Sequence, residues 1–178
     1  MQPLVLLVLP LFALAAPSPQ GQLESRSTPI KPNPPGSFVA TGKDEETIGY
    51  SRLEDTMKAV GVDGKSEATC TDCSQLQDNI VNRHGIWHLT GQTNLHDDND
   101  WIFLGSHGTC TLLVKNTAPT TVGTGDAAQY LSDVYVAACS KDGNAKYEAR
   151  HQVTDPSGVR IDFFIRGTSG LDLSRVNH

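Results

Sequence analysis

Asp72-Cys73-Ser74-Gln75-Leu76-Gln77-Asp78-Asn79-Ile80-Val81-Asn82-Arg83-His84-Gly85-Ile86-Trp87-His88-Leu89-Thr90 changes its hydrophobic period partway along, and that change decides the fold class. Cys73, Leu76, Ile80 and Val81 recur at helical spacing and share one face of a helix. Asp72 is placed to accept from the open N–H groups at the start of that helix, and Gly85 stands where a left-handed residue closes one. Ile86 to Thr90 follows at once with strand character. A helix that hands over directly to a strand requires a sheet on which to bury its apolar stripe.

Reading outward, Gly91 to Asp100 is polar and turn-rich, and Trp101 to Leu104 becomes apolar again, which predicts a hairpin with a long loop between the two strands. Thr109 to Lys115 alternates, with Cys110, Leu112 and Val114 on one face and Thr111 and Lys115 partly exposed on the other. Asp126 to Ala138 returns to helical spacing: Ala127, Tyr130, Leu131, Val134 and Ala138 share a face, and Asp126 sits at the positive end of the helix dipole. Lys146 to Val153 and Val159 to Ile165 read as strands joined by Asp155-Pro156-Ser157-Gly158, where proline presets a turn dihedral and glycine completes the turn. This order predicts an α+β fold: an antiparallel sheet with two helices packed on one face.

The N-terminal end has a different composition. Leu4 to Leu14 is an almost unbroken apolar run followed by small residues at Ala13-Leu14-Ala15, so residues 1–15 read as a secretory signal peptide cut after Ala15. The run is about half the length needed to span a bilayer. Six of the ten prolines fall between Pro17 and Pro35, and residues 16–65 read as a disordered leader and linker. Within it, Leu53, Met57 and Val60 have the spacing of a short helix from Ser51 to Ala59. The compact domain is expected over 66–168, followed by a C-terminal tail at 169–178.

Net charge is −6, and no basic run occurs anywhere in the chain. Phosphate-tracking surfaces need clustered Lys and Arg, so a nucleic-acid partner is not expected. Neither is a membrane span. An exported chain with four cysteines is expected to form two disulfides, and three connectivities are open. Cys73 lies on the inward face of the first helix and Cys110 on the inward face of a strand, which favours Cys73–Cys110. Cys70–Cys139 is then the second bond, and the swapped pairing comes next. The Cys70-Thr-Asp-Cys73 spacing also fits half a zinc site or a redox pair, but Cys110 and Cys139 are too far apart in sequence for a second close pair, and no βαβ context precedes it.

His84, His88, His96, His107, His151 and His178 have no recognised ligand spacing; His88 and His107 are the pair expected to meet across the sheet. Tyr147-Glu148-Ala149-Arg150-His151 holds the residue types of an extracellular ribonuclease, but strand alternation sends Glu148 and Arg150 to one face and Tyr147 and His151 to the other. His96-Asp97-Asp98-Asn99-Asp100 is oxygen-rich and lacks the glycine and distal glutamate of an EF-hand loop. Gly123-Thr124-Gly125-Asp126 imitates a phosphate cradle with glycine spacing that is too short and a repelling carboxylate. No cofactor, metal site or catalytic residue is assigned.

The ordered pieces Asp72 to Ile80, Gly85-Ile86-Trp87, Gly108-Thr109-Cys110 and Gly123 to Asp126, spanning roughly residues 70 to 139, resemble the extracellular-protein-two effector family of fungi, known as necrosis-inducing factors. That family is similar to the killer-protein-four toxins. The resemblance implies a disulfide-stapled, killer-toxin-like α/β sandwich. Two departures stand out: Cys70 lies closer to the Asp-Cys helix than the family's first cysteine, and Cys139 comes early relative to the last strands. The killer toxins are basic and this chain is acidic, so their charge-dependent mechanism does not carry over. The expected function is that of a secreted, extracellular, non-enzymatic effector or toxin-like monomer that binds a host or competitor protein or cell-surface component. The alternatives are a small secreted hydrolase or ribonuclease, or a cell-wall carbohydrate-binding module using Trp87 or Trp101.

Overall fold

The computed structural model describes residues 30–42, 48, 51–52, 58–60, 68–90, 100–139 and 148–176. The predicted signal peptide, the 96–99 part of the oxygen-rich loop, Tyr147 and His178 lie outside the described residues. In chain order the elements are β1 (Ser37–Ala40), β2 (Ser51–Arg52), β3 (Lys58–Val60), α1 (Cys70–Val81), β4 (Gly85–Leu89), β5 (Ile102–His107), β6 (Cys110–Asn116), β7 (Thr120–Gly123), α2 (Thr124–Cys139), β8 (Glu148–Thr154) and β9 (Arg160–Gly167), with short 3₁₀ turns at Thr168–Gly170 and Leu173–Arg175. The fold is α+β, with two helices and two disulfides.

There are two antiparallel sheets where one was expected. The larger runs β2-β8-β9-β6-β5, with β3 also paired to β8; the smaller is β1-β4-β7. The predicted hairpin between the 86–90 and 101–104 strands therefore does not form. Instead β4 is flanked by β7, with Trp87 opposite Val122, and by β1, with Trp87 opposite Phe38. Within the expected leader, residues 30–42 are described, and there Phe38 packs against Trp87, with ring centroids 5.3 Å apart. Of the helix expected from Ser51 to Ala59, the two ends lie instead in strands, Ser51–Arg52 and Lys58–Val60, that pair with β8, and residues 53–57 lie outside the described residues.

α1 starts earlier than Asp72 suggests. Thr69 is the N-cap, its hydroxyl accepting from the Asp72 N–H at 3.3 Å, because the Asp72 carboxylate is engaged elsewhere. The left-handed residue after the helix is His84, at φ 44°, and not Gly85. Gly85 is needed for a different reason: a Cβ there would come within 2.3 Å of the Phe38 ring and 2.6 Å of the Val39 carbonyl, so only glycine lets β1 lie so close.

Both helices bury their stripes against one face of the larger sheet. Cys73, Leu76 and Ile80 of α1 and Ala127, Tyr130 and Leu131 of α2 pack with Leu112, Val114, Ile161, Phe163 and Ile165 in one core cluster. Each fully buried Leu, Ile or Phe stabilises by roughly 1.5–3 kcal/mol. Cys73–Cys110 fastens α1 to β6, and Cys70–Cys139 fastens the start of α1 to the end of α2. No helix among the described residues is long and apolar enough to cross a membrane.

The opposite face of the sheet holds a second, smaller core of Ile30, Trp101, Leu113 and Phe164, with Phe103 and Leu171 against it. Thr111 and Lys115, expected to be partly exposed, are fully buried there. The cause is cover from both chain ends. Asn33 N–H donates to the Trp101 carbonyl at 2.7 Å, its carbonyl accepts from Phe103, and Ile30 exchanges hydrogen bonds with Gly170 and Asp172. The 169–178 segment is therefore part of the packed structure at least as far as Asp172.

Candidate functional site

The residues singled out in the sequence fall into three places, of which only one is a cleft. The first is a joint. Gly108 turns β5 into β6 at φ +51°, and a Cβ there would sit 2.6 Å from the Asp72 carboxyl group. This close approach lets Asp72 Oδ2 accept from the Thr109 N–H at 2.8 Å and from the Thr109 hydroxyl at 2.5 Å. The Thr109 hydroxyl oxygen in turn accepts from the Thr69 N–H at 3.0 Å. One residue further along each chain, Cys73 is bonded to Cys110. Asp-Cys and Gly-Thr-Cys are thus two halves of one clamp, covalent on one side and hydrogen-bonded on the other. The hydrogen bonds from the Thr109 side chain, then from its backbone, hold the Asp72 carboxyl below its ordinary value, with smaller help from Thr69 and from the nearby His107.

The second place is the outer face of the larger sheet. Glu148 meets Arg166 at 3.6 Å, and the Arg150 guanidinium lies 4.4 Å from the Phe164 ring centroid and 5.3 Å from that of Trp101. Lys115 Nζ lies 4.6 Å from the Trp101 ring. These are interlocked structural contacts. His151, one residue along from Arg150, points the other way into the helix side of the sheet, so Glu148, Arg150 and His151 do not assemble into an acid-base set. Trp87 and Trp101 are each only 1 % exposed, which removes both as stacking platforms for a sugar. His88 and His107 do not meet: they stand in different sheets, and His107 Nδ1 is 3.2 Å from the Asn79 side-chain nitrogen.

The third place is a shallow cleft between α2 and strands β8 and β9, open on one side to solvent. Asp126, Gln129, Tyr130 and Asp133 follow one another along α2 at helical spacing and form one wall; His151, Val153 and Phe163 form the other. Three buried rings stack across it from wall to wall, with Tyr130 between Phe163, at 4.7 Å and 24°, and His151, at 5.5 Å and 27°. The Tyr130 hydroxyl lies 3.4 Å from both the Ala149 and the Phe163 carbonyls, which fixes the ring in place. Asp126 is 9 % exposed and accepts from the Ile48 N–H at 2.7 Å. Asp133 accepts from Gln129 at 2.9 Å. The sequence reading took Tyr130 as core and Asp126 as a helix start, and it overlooked Gln129 and Asp133. The only signal available was their i, i+3, i+7 spacing, which needs the facing strands to become a site.

Among the described residues no group of three or more His, Cys, Asp or Glu is placed to hold a metal ion. Gly123-Thr124-Gly125-Asp126 makes the junction of β7 and α2, with the Thr124 hydroxyl buried and accepting from the Gly85 N–H at 3.1 Å. Compared with known proteins, the chain matches no family model and no curated protein.

Proposed function

We propose that this chain is a secreted, non-enzymatic effector or toxin-like protein that acts as a monomer by binding a host or competitor protein or cell-surface component. The observation that carries this reading is the clamp. The residues on which the resemblance to the extracellular-protein-two effector family rests, Asp72-Cys73 and Gly108-Thr109-Cys110, are in mutual contact at the joint of helix and sheet. Short motifs that interlock in space are a stronger basis for kinship than motifs scattered over a surface.

Two disulfides in one chain support an oxidising destination, which agrees with reading residues 1–15 as an export signal. Two helices on one face of an antiparallel sheet support the killer-toxin-like sandwich, with β1-β4-β7 as an addition to it. The separation of His151 from Glu148 by the sheet supports binding over acid-base cleavage.

Infiltration of purified protein into leaf tissue of several plant hosts, beside the Cys73→Ser/Cys110→Ser variant, tests the reading. A necrotic response to the oxidised protein that the variant loses is the expected result. Absence of a response in every host removes the necrosis-inducing function.

A further inference from the structure

We propose that residues 30–42 are a strap retained in the mature protein, so that processing after export ends upstream of Ile30. The statement about processing rests on reading residues 1–15 as an export signal; the statement about the strap does not. A proline-rich stretch ahead of both disulfide loops could be cut away without breaking a covalent tie, since Cys70 is the first cysteine in the chain. The contacts of this stretch argue for its retention.

The strap reaches three parts of the molecule that are far apart in sequence. Ile30 N–H donates to the Gly170 carbonyl at 3.2 Å, Asn33 N–H to the Trp101 carbonyl at 2.7 Å, and Gly36 N–H to the His88 carbonyl at 2.9 Å. Lys31 adds an ion pair to Asp172 at 3.0 Å. Each of the three donors directly follows a proline, Pro29, Pro32 or Pro35, which has no N–H of its own. A spacing of three residues returns to the same side of an extended proline-rich chain, so the donors share one side of the strap. The prolines also restrict the unfolded chain and lower the entropy lost when the strap is laid down.

The fit is reciprocal. Gly85 of β4 leaves room for Phe38 of the strap, and Gly36 of the strap leaves room for β4: a Cβ on Gly36 would come within 2.2 Å of the Thr90 methyl group and 3.0 Å of the His88 carbonyl. Gly42, just beyond β1, has only open space where its Cβ would stand. Glycine is therefore required where strap and body meet and not where they part. Without the strap, β4 would keep β7 alone as a neighbour, and its other edge would be open to pairing with foreign chains. Trp87 would lose Phe38, whose ring also carries the Arg83 guanidinium at 4.4 Å, and Trp101, Leu113 and Phe164 would lose Ile30. Uncovered rings and an open edge are liabilities in an exported domain.

Intact mass of the secreted protein should place its N-terminus between residues 16 and 29, and a terminus beyond Ile30 would overturn retention. Amide hydrogen exchange on the full mature chain tests the strap itself. The N–H groups of Asn33, Gly36 and Thr41, the last donating to the His84 carbonyl at 2.9 Å, should exchange at least about a hundredfold more slowly than in a free peptide of residues 30–42. Free-peptide rates at these positions would overturn the strap. Gly36→Ala should speed exchange at Asn33 and Thr41 about tenfold, while Gly42→Ala should leave both within about twofold of the parent protein. Equal rates in the two variants would mean that strap and β4 do not meet closely at Gly36, which also overturns the proposal. The readings fail separately: slow exchange in a chain that is not exported removes the export signal and leaves the strap, and an exported chain cut beyond Thr41 does the reverse.

Discussion

The two faces of the six-stranded sheet are both closed, but by opposite means. The helix face is closed by apolar volume and covalent bonds: α1 and α2 lie over Leu112, Val114, Ile161, Phe163 and Ile165, and both disulfides are on this side. The outer face is closed by backbone borrowed from the chain ends and by cations laid over rings, with Ile30 and Leu171 flanking Trp101 and Phe164, and Lys115 and Arg150 over those two rings. Because β6 is flanked by β9 and β5 and covered on both faces, every one of its residues is buried, polar and apolar alike. A small sheet with only two helices cannot cover both faces with secondary structure. Here the uncovered side is finished by segments that look like tails.

The largest effect expected on this comparison comes from the covalent side. Replacing Cys73 and Cys110 by serine opens a loop whose ends are 37 residues apart, which costs about 4 kcal/mol in the loop-entropy account. Urea unfolding at neutral pH measures it, and a change below about 1 kcal/mol would mean that the hydrogen-bonded half of the clamp alone holds α1 on the sheet. On the outer face, Trp101→Ala should cost about 3 kcal/mol, the lower end for a buried tryptophan, since the cavity would be open to Lys115 and Arg150. If the cost is that of an exposed residue, the outer face is not a second core and the comparison fails.

A smaller loss, about 1–2 kcal/mol, is expected for Asp155→Ala at the β8–β9 turn, which removes hydrogen bonds to a charged acceptor. One oxygen of Asp155 accepts from the N–H groups of Ser157, at 2.8 Å, and Val159, at 2.9 Å, and the other from the Thr120 hydroxyl at 2.5 Å, so the side chain fastens the turn to β7. Asp155→Asn retains an acceptor and should recover part of the loss in the same unfolding experiment. Equal losses for both would place the effect in the charge alone.

The helix face was largely legible in the sequence and the outer face was not, for a physical reason. Cys73, Leu76 and Ile80, or Val159 to Ile165, declare themselves by a period that belongs to the element alone. Phe38, Ile30 and Leu171 have no period, and their burial depends on partners more than forty residues away in sequence. The same limit explains the hairpin that does not form: the pairing of β4 with β1 and β7 turns on Gly85 admitting Phe38, which no local pattern announces. The cleft was half legible. Strand alternation puts His151 on the face opposite Glu148, while nothing local singles out Asp133, which lines a cleft only because β8 and β9 stand opposite it.

Acid should distinguish the two faces by the smallest margin, through the carboxylates that anchor each of them. On the outer face, the Ser174 side chain, then Lys31 at 3.0 Å and the Ser174 N–H at 3.1 Å, hold the Asp172 carboxyl down to about 2. On the helix face, Thr109 holds Asp72 below its ordinary value. At Asp155, burial opposes the charge, but hydrogen bonds from Ser157, Thr120 and Val159 outweigh it and leave that carboxyl lowered too. In all three the folded carboxyl binds a proton less readily than the unfolded one. Their contribution is therefore complete above the ordinary carboxylate range and is lost as pH falls from about 5 towards the folded values. Carboxyl-carbon NMR from pH 6 to pH 1.5 should place the Asp172 midpoint near 2, and Asp172→Asn should leave the acid loss at the Asp72 joint unchanged. An Asp172 midpoint at the ordinary value would mean that the Lys31 contact does not tie the leader to the C-terminal segment in solution, leaving the outer face to its buried rings.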